Sequence, residues 1–163
     1  MISIIDHGLG NFKSIVSAVK HLCYDVELTR DEETIKKSEK IILPGVGSFG
    51  YGMKNLKKFN LLDILNDEIL IKKKPILGIC LGCQLFFESS EESVGARGLG
   101  WIKGKVKKLK VSKNLPKIHI GWNKVKFTNS PLSQNLQNNS LMYFNHSYYP
   151  TFNENVKKIA STK

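Results

Sequence analysis

The stretch Lys74-Pro75-Ile76-Leu77-Gly78-Ile79-Cys80-Leu81-Gly82-Cys83-Gln84-Leu85-Phe86-Phe87-Glu88 decides how this chain folds. Pro75 opens an apolar run, Ile76 to Ile79, that reads as a buried strand. Leu81, Leu85 and Phe86 then fall at helical spacing, so a helix follows directly. Between the two lies Gly78-Ile79-Cys80-Leu81-Gly82, the thiol form of the G-x-S-x-G turn. A reactive side chain can stand on so sharp a turn only if its neighbours two residues away carry no Cβ to strike sheet or helix. The same turn directs the first N–H groups of the helix at whatever atom Cys80 attacks. That favours a thiolate and can hold a developing oxyanion.

Two plainer readings stay open. The segment is also compatible with a tight strand-to-helix turn around a buried, inert cysteine. Cys80-x-x-Cys83 is also the spacing of a redox pair or of half a zinc site. A zinc site needs further ligands, and neither a second CxxC nor a His-x-His cluster occurs, so no metal is expected.

Outward from this stretch, 163 residues suffice for one domain with a real core. A hydrophobic share of 41% and a charged share of 24% are those of a soluble globular protein. No apolar run approaches a membrane span, and the start, Met1-Ile2-Ser3-Ile4-Ile5-Asp6, has no basic lead or cleavage signature. Neither a signal peptide nor a membrane partner is expected. Three cysteines, an odd number with a candidate nucleophile among them, point to a reducing cytoplasm. Cys23 reads as a buried packing residue behind an amphipathic helix.

The net charge of +11 raises nucleic acid as a partner. Of the 25 basic residues, however, only Arg30 and Arg97 are arginine, the residue whose fork suits phosphates and bases. No aromatic-interleaved basic stripe occurs, so nucleic acid is discounted. The densest run, Lys103 to Lys117, holds seven lysines and no acid, alternating partly with Val106, Leu109 and Val111. It reads as a half-exposed strand pair with a lysine face, or as a docking face for an acidic partner.

In chain order, Ile2–Ile5 is a strand and Asp6-His7-Gly8-Leu9-Gly10-Asn11 a turn, with Asn11 as N-cap of a helix carrying Phe12, Ile15, Val16, Val19 and Leu22. Asp25–Thr29 reads as a strand, Asp31 caps a helix through Lys37, and Ile41–Leu43 is a buried strand ended by Pro44. This β-α-β-α-β order predicts an α/β fold: a mostly parallel open sheet with helices on both faces. Ligands bind such sheets at the carboxyl ends of strands, where the turns at Gly8, Gly45 and Gly78 converge. Pro44-Gly45-Val46-Gly47-Ser48-Phe49-Gly50-Tyr51-Gly52 lacks the P-loop lysine and the dinucleotide G-x-G-x-x-G. Its N–H groups can form a second arm of an oxyanion site opposite Cys80, or it is a flexible surface turn. Asn60 caps a helix with Leu62, Leu65 and Ile69 on one face, ending in Lys72-Lys73-Lys74, which need no partner there. After Glu92 come short β pieces: Lys105–Val111, Lys117–Gly121, Lys124–Phe127, Ser140–Phe144 and a last one near Val156–Ser161. They are expected as antiparallel hairpins added to the sheet edge.

Five motifs in order carry a resemblance: Ile5–Asn11, Leu43–Gly50, Gly78–Glu92, Gly121-Trp122-Asn123 and Tyr143-Phe144-Asn145-His146-Ser147-Tyr148-Tyr149. Over its whole length the chain resembles class I glutamine amidotransferases. Within them it is similar to the glutaminase subunits of imidazole glycerol phosphate synthase, from histidine biosynthesis. The resemblance implies a cytoplasmic heterodimer with a barrel-shaped cyclase subunit, glutamine as substrate and no cofactor. It implies Cys80 as the nucleophile that forms a thioester, and the backbone of Val46, Gly47 and Leu81 as oxyanion donors. Gln84, Glu92, Ser147 and Tyr148 match the residues that hold glutamine; Asn11, Trp122 and Asn123 match the partner face.

The chain departs from the pattern in one respect. The family's base is a histidine in a C-terminal His-Pro-Glu triplet, and none occurs here, where the histidines are His7, His21, His119 and His146. The expectation is a single domain over 1–163, truncated at its C-terminus and poorly active alone. His21 reads as a surface residue, His119 as a strand residue between Ile118 and Ile120, and His146 as part of the substrate-side motif. Competing readings are a paralogous subunit supplying ammonia for amidation of a surface or flagellar sugar, a non-catalytic remnant, and a thiol–disulfide protein built on Cys80 and Cys83.

Overall fold

The computed structural model describes residues 1–110, 117–152 and 156–162. Strands β1 (Ile2–Ile5), β2 (Val26–Thr29), β3 (Lys40–Leu43) and β4 (Ile76–Gly78) pair in parallel in the order β2-β1-β3-β4. Consecutive residues Ile4 and Ile5, and Ile41, Ile42 and Leu43, are all buried, the mark of strands covered on both faces. Ile5, Ile41 and Leu43 enter the main core, where they meet Ile35 of α2 (Glu32–Lys37), Phe49 and Leu56 of α3 (Phe49–Lys58), and Leu61 and Leu65 of α4 (Leu61–Asn66). Ile4 and Ile42 point to the opposite face. Asp31 caps α2 as expected, its carboxylate accepting the Thr34 N–H at 2.8 Å.

Several local expectations change. The apolar stripe of α1 (Phe12–His21) is at most half-buried, and Leu22 is exposed. Cys23, expected in the core, is exposed at φ 61° in the left-handed turn that ends α1. There the chain reverses toward β2, and the Cys23 N–H bonds the Lys20 carbonyl at 2.9 Å, so the side chain faces solvent. Asn11 and Asn60 stand at their N-cap positions but make no capping side-chain bond. Gly50 and Gly52 are not loop residues but lie inside α3, where Gly52 lets Leu85 approach; a Cβ there would sit 3.1 Å from it.

Leu61, Ile64 and Leu65 form the buried face of α4, with Leu62 and Ile69 only partly buried. A π-helical turn, Asp67–Ile71, follows and carries Glu68 inside. Lys72 and Lys74, expected to need no partner, flank its carboxylate at 2.7 and 2.5 Å. Lys74 also donates to the Ile35 carbonyl at 2.7 Å. A carboxylate 0% exposed cannot stay ionised without such partners, which is why Lys74 turns inward while Lys72 reaches it from the surface.

Among the described residues β4 is an edge strand bonded only to β3, so the run expected as buried leaves Leu77 57% exposed. The helix after it, α5 (Leu81–Gln84), is a single turn before β5 (Phe87–Ser90). β5 then pairs with β6 (Ile102–Lys108), which pairs antiparallel with β9 (Tyr148–Phe152). β7 (His119–Phe127) lies between β8 (Ser140–His146) and β10 (Ala160–Ser161). The later strands are therefore two three-stranded sheets of their own; no ladder joins them to the parallel sheet among the described residues. The β5–β6–β9 sheet attaches through side chains instead, Phe87 and Val106 entering the common core. The pieces expected at Lys117–Gly121 and Lys124–Phe127 are one strand, and Val111 lies outside the described residues. On β6, Val106 is buried while its neighbours on the other face, Lys103 and Lys105, are exposed, the alternation of a half-covered strand. No helix among the described residues is long and apolar enough to cross a membrane.

Candidate active site

The carboxyl ends of β1, β3 and β4 bring three turns together. Cys80 occupies the last of them at φ 53°, ψ −115°, a backbone region that non-glycine residues rarely adopt, and is exposed. The flanking glycines are obligatory. A Cβ at Gly78 would lie 2.6 Å from Cys83 Cα, and one at Gly82 would lie 1.8 Å from the Leu43 carbonyl oxygen. The Gly82 N–H closes the turn on the Ile79 carbonyl at 3.0 Å. Cys83, one turn on, is half-buried; burial first, and the charge of Cys80 second, push its thiol up from the usual cysteine range. Because α5 is only one turn long, its dipole adds little beside its free N–H groups.

One cleft of about 540 Å³ is lined by Cys80, by Val46, Gly47 and Leu81, and by Gln84, Glu92, Ser147 and Tyr148. Every residue expected to attack, to hold the oxyanion or to bind glutamine thus borders the same space. The N–H groups of Gly47 and Leu81 have no acceptor among the described residues, as oxyanion donors require. The Val46 N–H differs: it is given to the Leu9 carbonyl at 3.4 Å. Gly47 sits at φ 99°, a conformation that suits glycine. Glu92 has a double placement. Its Oε2 accepts the Phe49 N–H at 2.7 Å at the start of α3, and its other oxygen carries no hydrogen bond among the described residues. Gln84 Nε2 reaches the Tyr148 carbonyl at 3.4 Å, joining α5 to β9.

Sequence reasoning missed His7 as a support for this loop. Its ring is wholly buried, and Nε2 lies 2.6 Å from the Pro44 carbonyl. A carbonyl only accepts, so Nε2 carries the proton and Nδ1 stays bare and unpartnered. Burial holds the imidazole below the usual histidine value, against the Pro44 bond and the Asp6 charge, which pull it up. Asp6 itself pairs with Arg30 and accepts the Gly8 N–H at 3.1 Å. The signal for His7 is weak in sequence: a histidine in a glycine turn looks exposed.

Above the cleft stands the β7–β8 hairpin, with Ile118, Tyr143, Asn145 and His146 on the rim. The hairpin face that carries Tyr143 also shows Ile120, Trp122 and Leu141, all four more than half exposed, with Trp122 tilted against Tyr143 at 5.5 Å. Asn123 lies on the same hairpin and Asn11 is exposed at the start of α1. Among the described residues, no three His, Cys, Asp or Glu side chains stand close enough to hold a metal ion.

The family model described as glutamine amidotransferase class-I matches residues 3–162. The chain is 50% identical over 150 residues to imidazole glycerol phosphate synthase subunit HisH 2 of Methanococcus maripaludis, covering 91% of this chain and 74% of that protein. It is 43% identical over 159 residues to the subunit of the same name from Vibrio vulnificus, covering 96% of this chain and 74% of that one. Among solved structures, a crystal structure of glutamine amidotransferase superposes with a TM-score of 0.75 at 15% identity, covering 98% of this chain and 78% of the other, a likeness of fold.

Proposed function

The chain belongs to the class I glutamine amidotransferase family, and on that premise we propose that it is the glutaminase subunit of an imidazole glycerol phosphate synthase, in histidine biosynthesis. The observation that carries the reading is the convergence of eight residues around one cleft, with Cys80 held on a strained turn at its floor. In this reading Cys80 Sγ attacks the carboxamide carbon of glutamine. The oxygen becomes an oxyanion against the Leu81 and Gly47 N–H groups. The C–N bond then breaks, ammonia leaves with a proton, and water cleaves the Cys80 thioester to give glutamate. Glu92 reads the α-ammonium with its free oxygen, while Gln84, Ser147 and Tyr148 hold the rest of the amino acid. The reaction needs no cofactor. Ammonia passes to a cyclase subunit that docks on the face of Asn11, Trp122 and Asn123, and the heterodimer works in the cytoplasm.

No histidine bonds Cys80 among the described residues: the ring nitrogens of His119 and His146 bond elsewhere, and His7 is sealed under Pro44. The 163-residue chain alone is therefore expected to release glutamate about a hundredfold or more below rates with a positioned base. The test measures glutamate release with and without the cyclase, together with labelling of Cys80 by a diazo-ketone analogue of glutamine. Saturable labelling that glutamine prevents and Cys80→Ser abolishes supports the reading; labelling unaffected by glutamine refutes it.

A further inference from the structure

Both nitrogens of each histidine in the hairpin have partners, and the bonds run in one line from the hairpin to the cleft wall. His146 Nδ1 is 3.0 Å from the Tyr148 carbonyl oxygen, the same atom that Gln84 reaches from α5. His146 Nε2 is 3.2 Å from His119 Nδ1, and His119 Nε2 is 3.0 Å from Asn123 Oδ1. The strand register sets His119 opposite His146, and the His119 ring stacks on Phe144 with centroids 4.5 Å apart and planes 11° from parallel.

The chemistry of the acceptor orders the protons. The Tyr148 carbonyl only accepts, so His146 carries its proton on Nδ1. A neutral His146 then accepts at Nε2, and His119 donates from Nδ1. His119 Nε2 accepts in turn if Asn123 presents its amide nitrogen; if Asn123 presents oxygen, the pair holds one more proton. In both states the Nδ1 side of His119 serves His146, and the Nε2 side serves Asn123.

We propose that His119 and His146 are a positioning pair for the glutamine site. They fix the Tyr148 carbonyl, and through it Gln84 and the first residues of β9, against the helix that carries Cys80. The proposal rests on the reading of the Cys80 cleft as the glutamine site. Because Asn123 and Trp122 are neighbours on β7, the same line of bonds fastens the proposed partner face to the pocket wall.

Asparagine places an amide where Nδ1 was, and glutamine places one where Nε2 was, so the two replacements separate the roles. The experiment follows inactivation of the full chain by the diazo-ketone analogue, with iodoacetamide labelling of the Cys80 peptide as the control for the thiol itself. His119→Gln is expected to raise the half-saturating analogue concentration about tenfold, and His119→Asn less than about threefold. Iodoacetamide rates should change less than about twofold in either. Should a His119 variant fail to fold, His146→Asn keeps the donor to Tyr148 and stays near the parent, while His146→Gln does not. Equal behaviour of the asparagine and glutamine variants overturns the positioning pair and leaves the glutamine site standing. A parent chain that iodoacetamide labels but the analogue never saturates overturns both.

Discussion

A methyl group at position 82 would stand 1.8 Å from the Leu43 carbonyl oxygen, a backbone atom that cannot step aside as a flexible side chain would. Gly82→Ala must therefore lift α5 off β3. The expected cost is about 3 kcal/mol, or roughly 6–12 °C in the thermal midpoint by calorimetry. A midpoint within about a degree of the parent would mean the elbow is not packed this way. His7 offers a pH prediction at the same scale. Its folded value lies below the 6.5 of an unfolded histidine, so the unfolded chain takes up the proton first as pH falls. The stability tied to this difference is full above about 6.5 and is lost as pH drops below it toward the folded value. His7→Gln, which keeps an N–H for Pro44, should flatten the loss of midpoint between about pH 7.5 and 5.5; an unchanged slope would place the titration elsewhere.

Among the elements, the π-helical turn explains what a helical wheel cannot. It adds one residue to a turn, so the face drawn for an α-helix shifts and Glu68 enters the interior. Burial alone would push its carboxyl up; bonds and charges from Lys72 and Lys74 outweigh that and hold it below the usual 4.5. This contribution is present above about 4.5 and lost as pH falls through the lower folded value. Lys74→Met should destabilise by about 3 kcal/mol, and Glu68→Leu with Lys74→Met by much less, since a buried carboxylate that keeps only the exposed Lys72 as partner costs more than no buried charge. Equal losses in urea unfolding of the two variants would refute the pairing. Elements with strong local signals were legible: β1, α2, β3 and the elbow each follow from apolar runs, an Asp cap or paired glycines. The one-turn length of α5 was not, because Leu85 and Phe86 suit a longer helix as well as the turn into β5.

On the scale of the whole molecule, the cleft was legible and the sheets around it were not. Val46, Gly47 and Cys80 meet because the parallel strands β3 and β4 deliver their carboxyl ends to one edge, a rule that needs only the strand order; Glu92, after β5, and Ser147 and Tyr148, at the β8–β9 junction, come from the other sheets. The separation into three sheets depends instead on pairing across long connections, and the register of His119 with His146 spans the segment 128–139. The direction of the Val46 N–H is a single backbone torsion that composition does not encode. The apolar hairpin face of Trp122 and Tyr143 yields a prediction for assembly. Trp122 is 67% exposed beside Tyr143, and aromatic anchors of this kind dominate binding. Trp122→Ala should weaken the cyclase complex by about thirtyfold in titration calorimetry, a loss of about 2 kcal/mol. Unchanged affinity would move the interface elsewhere.

The left-handed turn after α1 has a practical consequence. Cys23 and Cys80 are both exposed, whereas Cys83 is half-buried with its thiol pushed up, so a native thiol count should return two quick groups and one slow. In stocks kept without reductant, disulfide-linked dimers through the exposed Cys23 are expected, and they would owe nothing to assembly. Serine at that position removes the artefact and leaves the cleft sulfur as the only fast-reacting handle on the chain.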